Sequence, residues 1–307
     1  MEQEKKIILL AGPTASGKSK LAIKIAKRIN GEIINADSMQ IYKEISVLTS
    51  KPSFKDINTV KHHLYGFNSV RKKFSTGHWL KLAVEKIEKL WEIKKIPIVV
   101  GGTGLYFKAL TDGLVNIPDV PSKISIKTRA LQKKIGQKKF FTQLTKLDPN
   151  AESYLVSNDV QRSIRAYEVK KFTKKSLFDY IKETKPNFEH KFFKKLFINI
   201  PKEHLKKKIE LKVEEMFNSG ALEEVQKFIK MKVNKKLSAN KIIGIKEINE
   251  YLNDKTTLSE TKELIKLKTR QYSKRQFTWA RGHMKSWDMI YSANINDLIK
   301  KIINKIS

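Results

Sequence analysis

Cysteine is absent from the 307 residues, which removes disulfides, Cys-ligated zinc, iron–sulfur clusters and thiol nucleophiles as explanations of function. Acidic residues are scarce beside basic ones, 31 Asp+Glu against 63 Lys+Arg, leaving a formal net charge of +32. Arginine is itself rare: Arg28, Arg71, Arg129, Arg162, Arg165, Arg270, Arg275 and Arg281 are the whole complement. Long apolar runs are missing too. The first, Ile7–Ala11, is too short for a signal h-region or a membrane span, and no later segment approaches ~20 uninterrupted apolar residues. The expectation is a soluble, cytoplasmic protein without a membrane anchor, working as a monomer. With 40% apolar residues the chain can fill a sizeable core in one large or two modest domains, so a disordered basic tail is excluded.

An excess of positive charge this large attracts polyanions, because cations that neutralise phosphates release condensed counterions. It also suits an AT-biased genome, since Lys, Ile and Asn are all abundant. The total alone leaves both readings open, but position says more. Five of the eight arginines fall in two stretches, Gln161-Arg162-Ser163-Ile164-Arg165 and Arg270 to Arg281. A planar guanidinium grips phosphate in a two-pronged fork and stacks on bases, which an ammonium does not. These stretches are therefore the first candidates for specific contacts; solvated or packed helix faces are the plain alternative.

Residues 6–36 read as a β-α-β unit: an apolar run, a glycine-bearing turn, an amphipathic helix over 18–29 and a second apolar run over 33–36. A helix over 76–91 and a strand over 98–100, introduced by Pro97, follow. Strands alternating with helices imply a parallel sheet covered on both faces. From Pro118 the strand signals vanish and short helices take over, at 122–135, 139–147, 159–172 and 176–181. A connection of that length inside a sheet domain exceeds ordinary loops, so it reads as an inserted helical subdomain, net +11 over residues 119–200. A strand over 196–200 then returns to the sheet, and helices follow at 201–218, 221–231, 240–251 and 257–280. The expected fold is α/β: a parallel-sheet core over 1–118, a helical insertion over 119–195, and core completion with C-terminal helices over 196–307.

Gly12-Pro13-Thr14-Ala15-Ser16-Gly17-Lys18-Ser19 matches G-x-x-x-x-G-K-[ST] between a strand and a helix, the context this motif requires. Glycines let the backbone wrap an anion, successive N–H groups and the helix N-terminus supply partial positive charge, Lys18 adds a full one, and Ser19 is placed to ligate Mg²⁺. The loop binds a di- or triphosphate. A P-loop ATPase usually ends a further strand with a metal-holding Asp; here that strand runs into Gly101-Gly102-Thr103-Gly104, and the acid, Asp37, ends the second strand instead. Carboxyl ends of neighbouring parallel strands share one crevice, so Asp37, Thr103 and the P-loop should converge. A carboxylate beside a bound diphosphate is placed to take a proton from an attacking nucleophile. A P-loop kinase and a non-catalytic basic RNA-binding protein remain alternatives on these residues.

GPTASGKS at 12–19, ADSMQIY at 36–42, TSKPS at 49–53, HHLY at 62–65, VVGGTGLYFKAL at 99–110, NDVQRSIRAYEV at 158–169 and TRQYSKRQFTWAR at 269–281 together resemble the bacterial tRNA dimethylallyltransferases. The resemblance implies transfer of a dimethylallyl group from dimethylallyl diphosphate to N6 of adenosine 37, beside the anticodon, with Mg²⁺; it also implies that the core is a P-loop, nucleotide-kinase-like parallel sheet and that the insertion clasps the anticodon stem. It makes Asp37 the general base and Thr103 a partner of the reacting base, and brings Ser38, Met39, Gln40, Gln161, Arg162, Ser163, Ile164, Arg165, Arg270 and Arg275 to the tRNA. Departures are visible: Lys208 and Lys212 stand where the family commonly has Arg for the diphosphate, Ser125 replaces an Arg that meets tRNA, and Lys241 and Lys246 frame the run KIIGIK in place of the family's Arg-containing version. The zinc finger of eukaryotic relatives is not expected in a chain without cysteine.

Overall fold

The structure, a computed structural model, describes residues 5–292 and 294–306. Two compact units divide the chain: one takes the residues up to Thr111 and those from Phe188 onward, the other spans Asp112–Asn187.

In the larger unit the described residues form a six-stranded parallel sheet from β1 (Ile7–Ala11), β2 (Gly31–Asn35), β3 (His62–His63), β4 (Ile96–Gly101), β5 (Phe193–Asn199) and β6 (Asp288–Tyr291), in the order β3-β2-β4-β1-β5-β6. Every residue of β1 and β2 is buried, the signature of strands covered on both faces. Pro97, expected to precede its strand, lies inside β4 opposite Glu32, one residue before pairing with β1 begins at Ile98. Its missing N–H is tolerated near a strand's start.

Helices α1 (Lys18–Arg28), α2 (Phe54–Thr59), α3 (Thr76–Glu92) and α4 (Gly104–Asp112) follow the first four strands' ends. Alpha1 places Leu21, Ala22 and Ile25 on Ile8, Leu10, Ile33 and Ile98 of the sheet. A separate core joins Ile41, Tyr42, Ile45 and Leu48, after β2, to Val213, Val225, Ile248 and Ile265 from the last third of the chain.

The smaller unit holds α5 (Ser122–Leu147), α6 (Asn150–Tyr154), α7 (Val160–Thr173) and α8 (Leu177–Lys182), packed on Leu144, Ala151, Leu155, Ala166 and Phe178. Gly136, at φ 77°, leaves the helical region and divides α5 into two helical stretches, as its place between the expected 122–135 and 139–147 helices implied. The unit begins and ends earlier than the expected 119–195, because Phe193–Lys195 already belong to β5.

Back in the larger unit come α9 (Lys202–Asn218), α10 (Ala221–Lys230), α11 (Ile245–Tyr251), α12 (Leu258–His283) and α13 (Ile295–Ile306). The helix expected over 240–251 is a 3₁₀ turn, Ser238–Lys241, then a break and α11, because Gly244 sits at φ 107° against Leu48. Beta6 and α13 were not expected; Leu298, Ile299 and Ile302 of α13 belong to the sheet core. Among the described residues no helix is long and apolar enough to cross a membrane.

Candidate active site

The loop between β1 and α1 turns through two left-handed residues, Ala15 at φ 65° and Gly17 at φ 81°. Ser16 donates its N–H to the Pro13 carbonyl at 3.2 Å, and Lys18 folds back so that Nζ donates to the same oxygen at 3.1 Å. Ser16 Oγ is buried without a hydrogen-bond partner, a polar atom left over inside an anion cradle. Ser19 is exposed at the start of α1. Lys208 of α9 reaches the cradle: its Nζ is 3.9 Å from where a Cβ on Gly17 would stand. Burial holds the Lys18 ammonium down to about 8, with Asp37 opposing and Lys212 adding to the drop. Lys212 is lowered by burial as well, against the pull of Asp37 and Glu215. Clustered, desolvated ammonium groups are costly until an anion arrives, which marks a site made for one.

Asp37 follows β2 and faces these lysines. Its Oδ1 accepts the Met39 N–H at 2.9 Å, while Oδ2 has no hydrogen-bond partner among the described residues and is available to substrate. Thr103 closes the other side. Its N–H donates to the Ala36 carbonyl at 3.1 Å, and its Oγ1 accepts the Ser38 N–H at 2.9 Å and donates to Ser38 Oγ at 3.3 Å. This approach needs glycine at 101, where a Cβ would land inside van der Waals contact with the Ala36 carbonyl oxygen. Gly104 is required likewise, since the indole of Trp279 lies directly over it.

Gln276 of α12 was not singled out by the sequence. It is the joint of the site: Oε1 accepts the Thr14 N–H at 2.8 Å and Nε2 donates to the Gly102 carbonyl at 2.9 Å, tying the phosphate loop to the loop that carries Thr103. Ser273, one turn earlier on α12, donates to the Thr14 carbonyl at 3.4 Å. Between these loops and α12 lies a cavity of about 310 Å³, lined by Gly12, Ser38, Thr103 and the apolar walls Leu105, Phe107, Phe197, Trp279 and Met284, with Arg275 at its edge. Phe107, fully buried, is part of the core and also walls the cavity. Three tyrosines feel the charge of the Asp37 carboxylate. Burial pushes the phenols of Tyr65, Tyr106 and Tyr272 up, and the Asp37 charge pushes them further, so all three stay neutral donors.

The structure therefore brings together Gly12 through Ser19, Asp37, Ser38, Thr103, Lys208, Lys212 and Arg275. Others stand differently. Gln40 spends its side-chain N–H groups on the carbonyls of Thr49 and Ser50, both at 2.9 Å, and Met39 packs against the second core. Arg270 is half-buried on α12, and Arg275 lies over the Tyr272 ring at 5.6 Å. Lys241 is exposed, as is Lys246, which pairs with Glu250 at 3.6 Å.

In the smaller unit Gln161, Arg162 and Arg165 are exposed along α7, whereas Ser163 and Ile164 are buried. The last two were expected at the RNA; their side chains turn into the unit's interior, Ser163 Oγ donating to the Asp159 carbonyl at 2.6 Å. Ser125 is half-buried on α5. Arg165 and Arg129 both approach Glu168, at 3.9 and 4.0 Å, and its carboxylate is only 5% exposed. Arg129, which the sequence did not single out, thus shares a buried counter-charge with Arg165.

The family model described as IPP transferase matches residues 40–283. A tRNA dimethylallyltransferase of Pelagibacter ubique is 53% identical over 302 residues, 98% of this chain and 96% of that protein. One of Rickettsia bellii is 41% identical over 306 residues, 99% and 96% of the two chains. Among solved structures, a tRNA isopentenylpyrophosphate transferase of Bacillus halodurans superposes with a TM-score of 0.71 at 29% identity, covering 99% of this chain and 96% of that one. A eukaryotic dimethylallyltransferase described as acting on tRNA gives 0.82 at 28% identity over 95% of this chain and 75% of that one. With a family model over most of its residues and relatives this similar along nearly its whole length, the chain belongs to the IPP transferase family.

Proposed function

We propose that this chain transfers a dimethylallyl group from dimethylallyl diphosphate to N6 of adenosine 37 in tRNA, in the cytoplasm and as a monomer. The observation that carries the reading is Asp37: one carboxylate, Oδ2 free, opposite three lysines on an anion cradle. The N6 lone pair attacks C1 of the allyl group, the C1–O bond breaks toward the diphosphate, and the N6 proton passes to Asp37 Oδ2. Lys18, Lys208 and Lys212 meet the charge that grows on the leaving oxygens, the arrangement that stabilises a transition state most. Thr103 Oγ1 and Ser38 flank the acceptor base. An adenine amino group must leave the loop stack to reach this depth, so the base is flipped in. The apolar cavity walls suit the isoprenoid carbons and keep water from the allylic centre.

Mg²⁺ fits as a companion of the diphosphate. Among the described residues no three His, Asp or Glu side chains gather to cage a metal, and Mg²⁺ typically binds through few protein groups, waters and substrate phosphate oxygens. The exposed hydroxyl of Ser19 at the α1 N-terminus is the protein ligand offered, beside the orphaned Ser16 hydroxyl. When bound, the ion supplies charge neutralisation on the diphosphate. On the smaller unit, Arg162 and Arg165 are proposed phosphate contacts of the RNA.

Asp37→Asn keeps shape and removes the base. Turnover is expected to fall by roughly 10²–10⁴ with the tRNA dissociation constant little changed; near-normal turnover would refute the role.

A further inference from the structure

We propose that Asn35, the last residue of β2, is a positioning residue for the reacting carboxylate, an inference that rests on the reading of Asp37 as the base. Its side chain is fully buried and spends every bond on the site. Oδ1 accepts the Asp37 N–H at 2.8 Å, and Nδ2 donates to the Asp37 carbonyl at 3.0 Å and to the Leu64 carbonyl at 2.9 Å. Trp79 locks the residue from behind, its Nε1 donating to the Asn35 carbonyl at 2.7 Å. One amide therefore grips the peptide groups on both sides of the Asp37 Cα, while Thr103 holds the neighbouring Ala36 carbonyl and Ser38 N–H.

The second target of Nδ2 carries a further consequence. Leu64 sits at φ 61°, in the left-handed region, where a branched residue stays only if its surroundings fix it. That turn precedes Tyr65, which is desolvated and feels the Asp37 charge. Asn35 thus sets both the base and one wall of its pocket. The task calls for an acceptor and two donors in one plane, which a carboxamide has. Aspartate at this position keeps the acceptor, loses both donors and adds a second negative charge beside Asp37; alanine loses everything.

The test compares Asn35→Ala, Asn35→Asp and Asp37→Asn in the full chain, with kcat, KM for both substrates, thermal stability and kcat against pH. Displacing a reacting group by about 1 Å costs about 10²-fold, so Asn35→Ala is expected to lower kcat by about that factor, per folded molecule, with both KM values held within about threefold. Asn35→Asp is expected to lower kcat and to move the acid limb of the kcat profile to higher pH, because a neighbouring like charge disfavours the carboxylate. Wild-type kcat per folded molecule in Asn35→Ala, or an unshifted acid limb in Asn35→Asp, overturns the proposal. If Asn35→Ala does not fold, the acid limb of Asn35→Asp decides. Slow Asn35 variants beside a fully active Asp37→Asn would instead overturn the reading of Asp37, so the two failures are distinct.

Discussion

Replacing Lys18 by methionine should stabilise the ligand-free protein while abolishing its response to diphosphate. The ammonium is buried among Lys212 and Lys208 with Asp37 as its counter-charge, and burial lowers it from 10.5 to about 8. At 1.36 kcal/mol per pKa unit, that drop corresponds to about 3 kcal/mol held against the folded state. Partial solvent access and the bond to the Pro13 carbonyl, which the variant loses, reduce the net gain to about 1.5 kcal/mol. With an unfolding entropy of about 2.1 cal/mol/K per residue, about 0.65 kcal/mol/K for the 307 residues, Tm at pH 7 should rise by about 2 °C. The pH dependence has a definite sign. A lysine whose folded-state pKa lies below its unfolded value makes the native state bind fewer protons between pH 8 and 10.5. Wild-type stability therefore gains from that group as pH rises through the window. The advantage of the variant is full below pH 8 and closes toward pH 10.5. Thermal denaturation of both proteins at pH 7 and pH 10, with and without diphosphate, reads all of this. At a ligand concentration of 100 times Kd the wild type should gain about 2.7 kcal/mol and the variant nearly nothing. A variant less stable than wild type at pH 7, or a gap that widens with pH, would refute the electrostatic account of the cradle.

Arg162→Ala with Arg165→Ala should weaken tRNA binding and flatten the plot of log K against log salt by roughly one unit per lost phosphate contact; filter binding between 50 and 200 mM salt checks it, and an unchanged slope would leave both arginines facing solvent or protein. Gly101→Ala places a methyl inside the Ala36 carbonyl contact, where backbone rather than a flexible side chain must yield. A loss of more than about 2 kcal/mol is expected, read by urea denaturation, with kcat falling further than stability explains because Asp37 moves too.

The phosphate loop, the strand before it and Asp37 were legible because their signals are local: a spacing, an apolar run, an acid at a strand's end. Convergence of Asp37 with Thr103 followed from parallel topology. What escaped depends on tertiary approach. Gln276 meets Thr14 across 262 positions, and nothing in Tyr272-Ser273-Lys274-Arg275-Gln276 distinguishes a packed helix face from the clamp on a phosphate loop. Tyr65 and Tyr272 feel the Asp37 charge from separate segments. Other misses had readable signals. Ile295, Leu298, Ile299 and Ile302 repeat at helical spacing and announce α13. Ser163 and Ile164 precede Ala166 and Glu168 on the inward face of α7, so the QRSIR run splits between a solvent face and a packed one, and only its Gln and Arg members are free to meet a partner. Beta3, two residues long, is too short for any pattern to mark.

The central claim is prenyl transfer to tRNA, and mass spectrometry of nucleosides tests it most directly. Unmodified tRNA incubated with the purified chain, Mg²⁺ and dimethylallyl diphosphate should yield N6-isopentenyladenosine at position 37 and one diphosphate per modified nucleoside, with Asp37→Asn giving almost none. Full-length tRNA recovered without any added five-carbon unit, or consumption of ATP on a small-molecule acceptor in its place, would contradict the account.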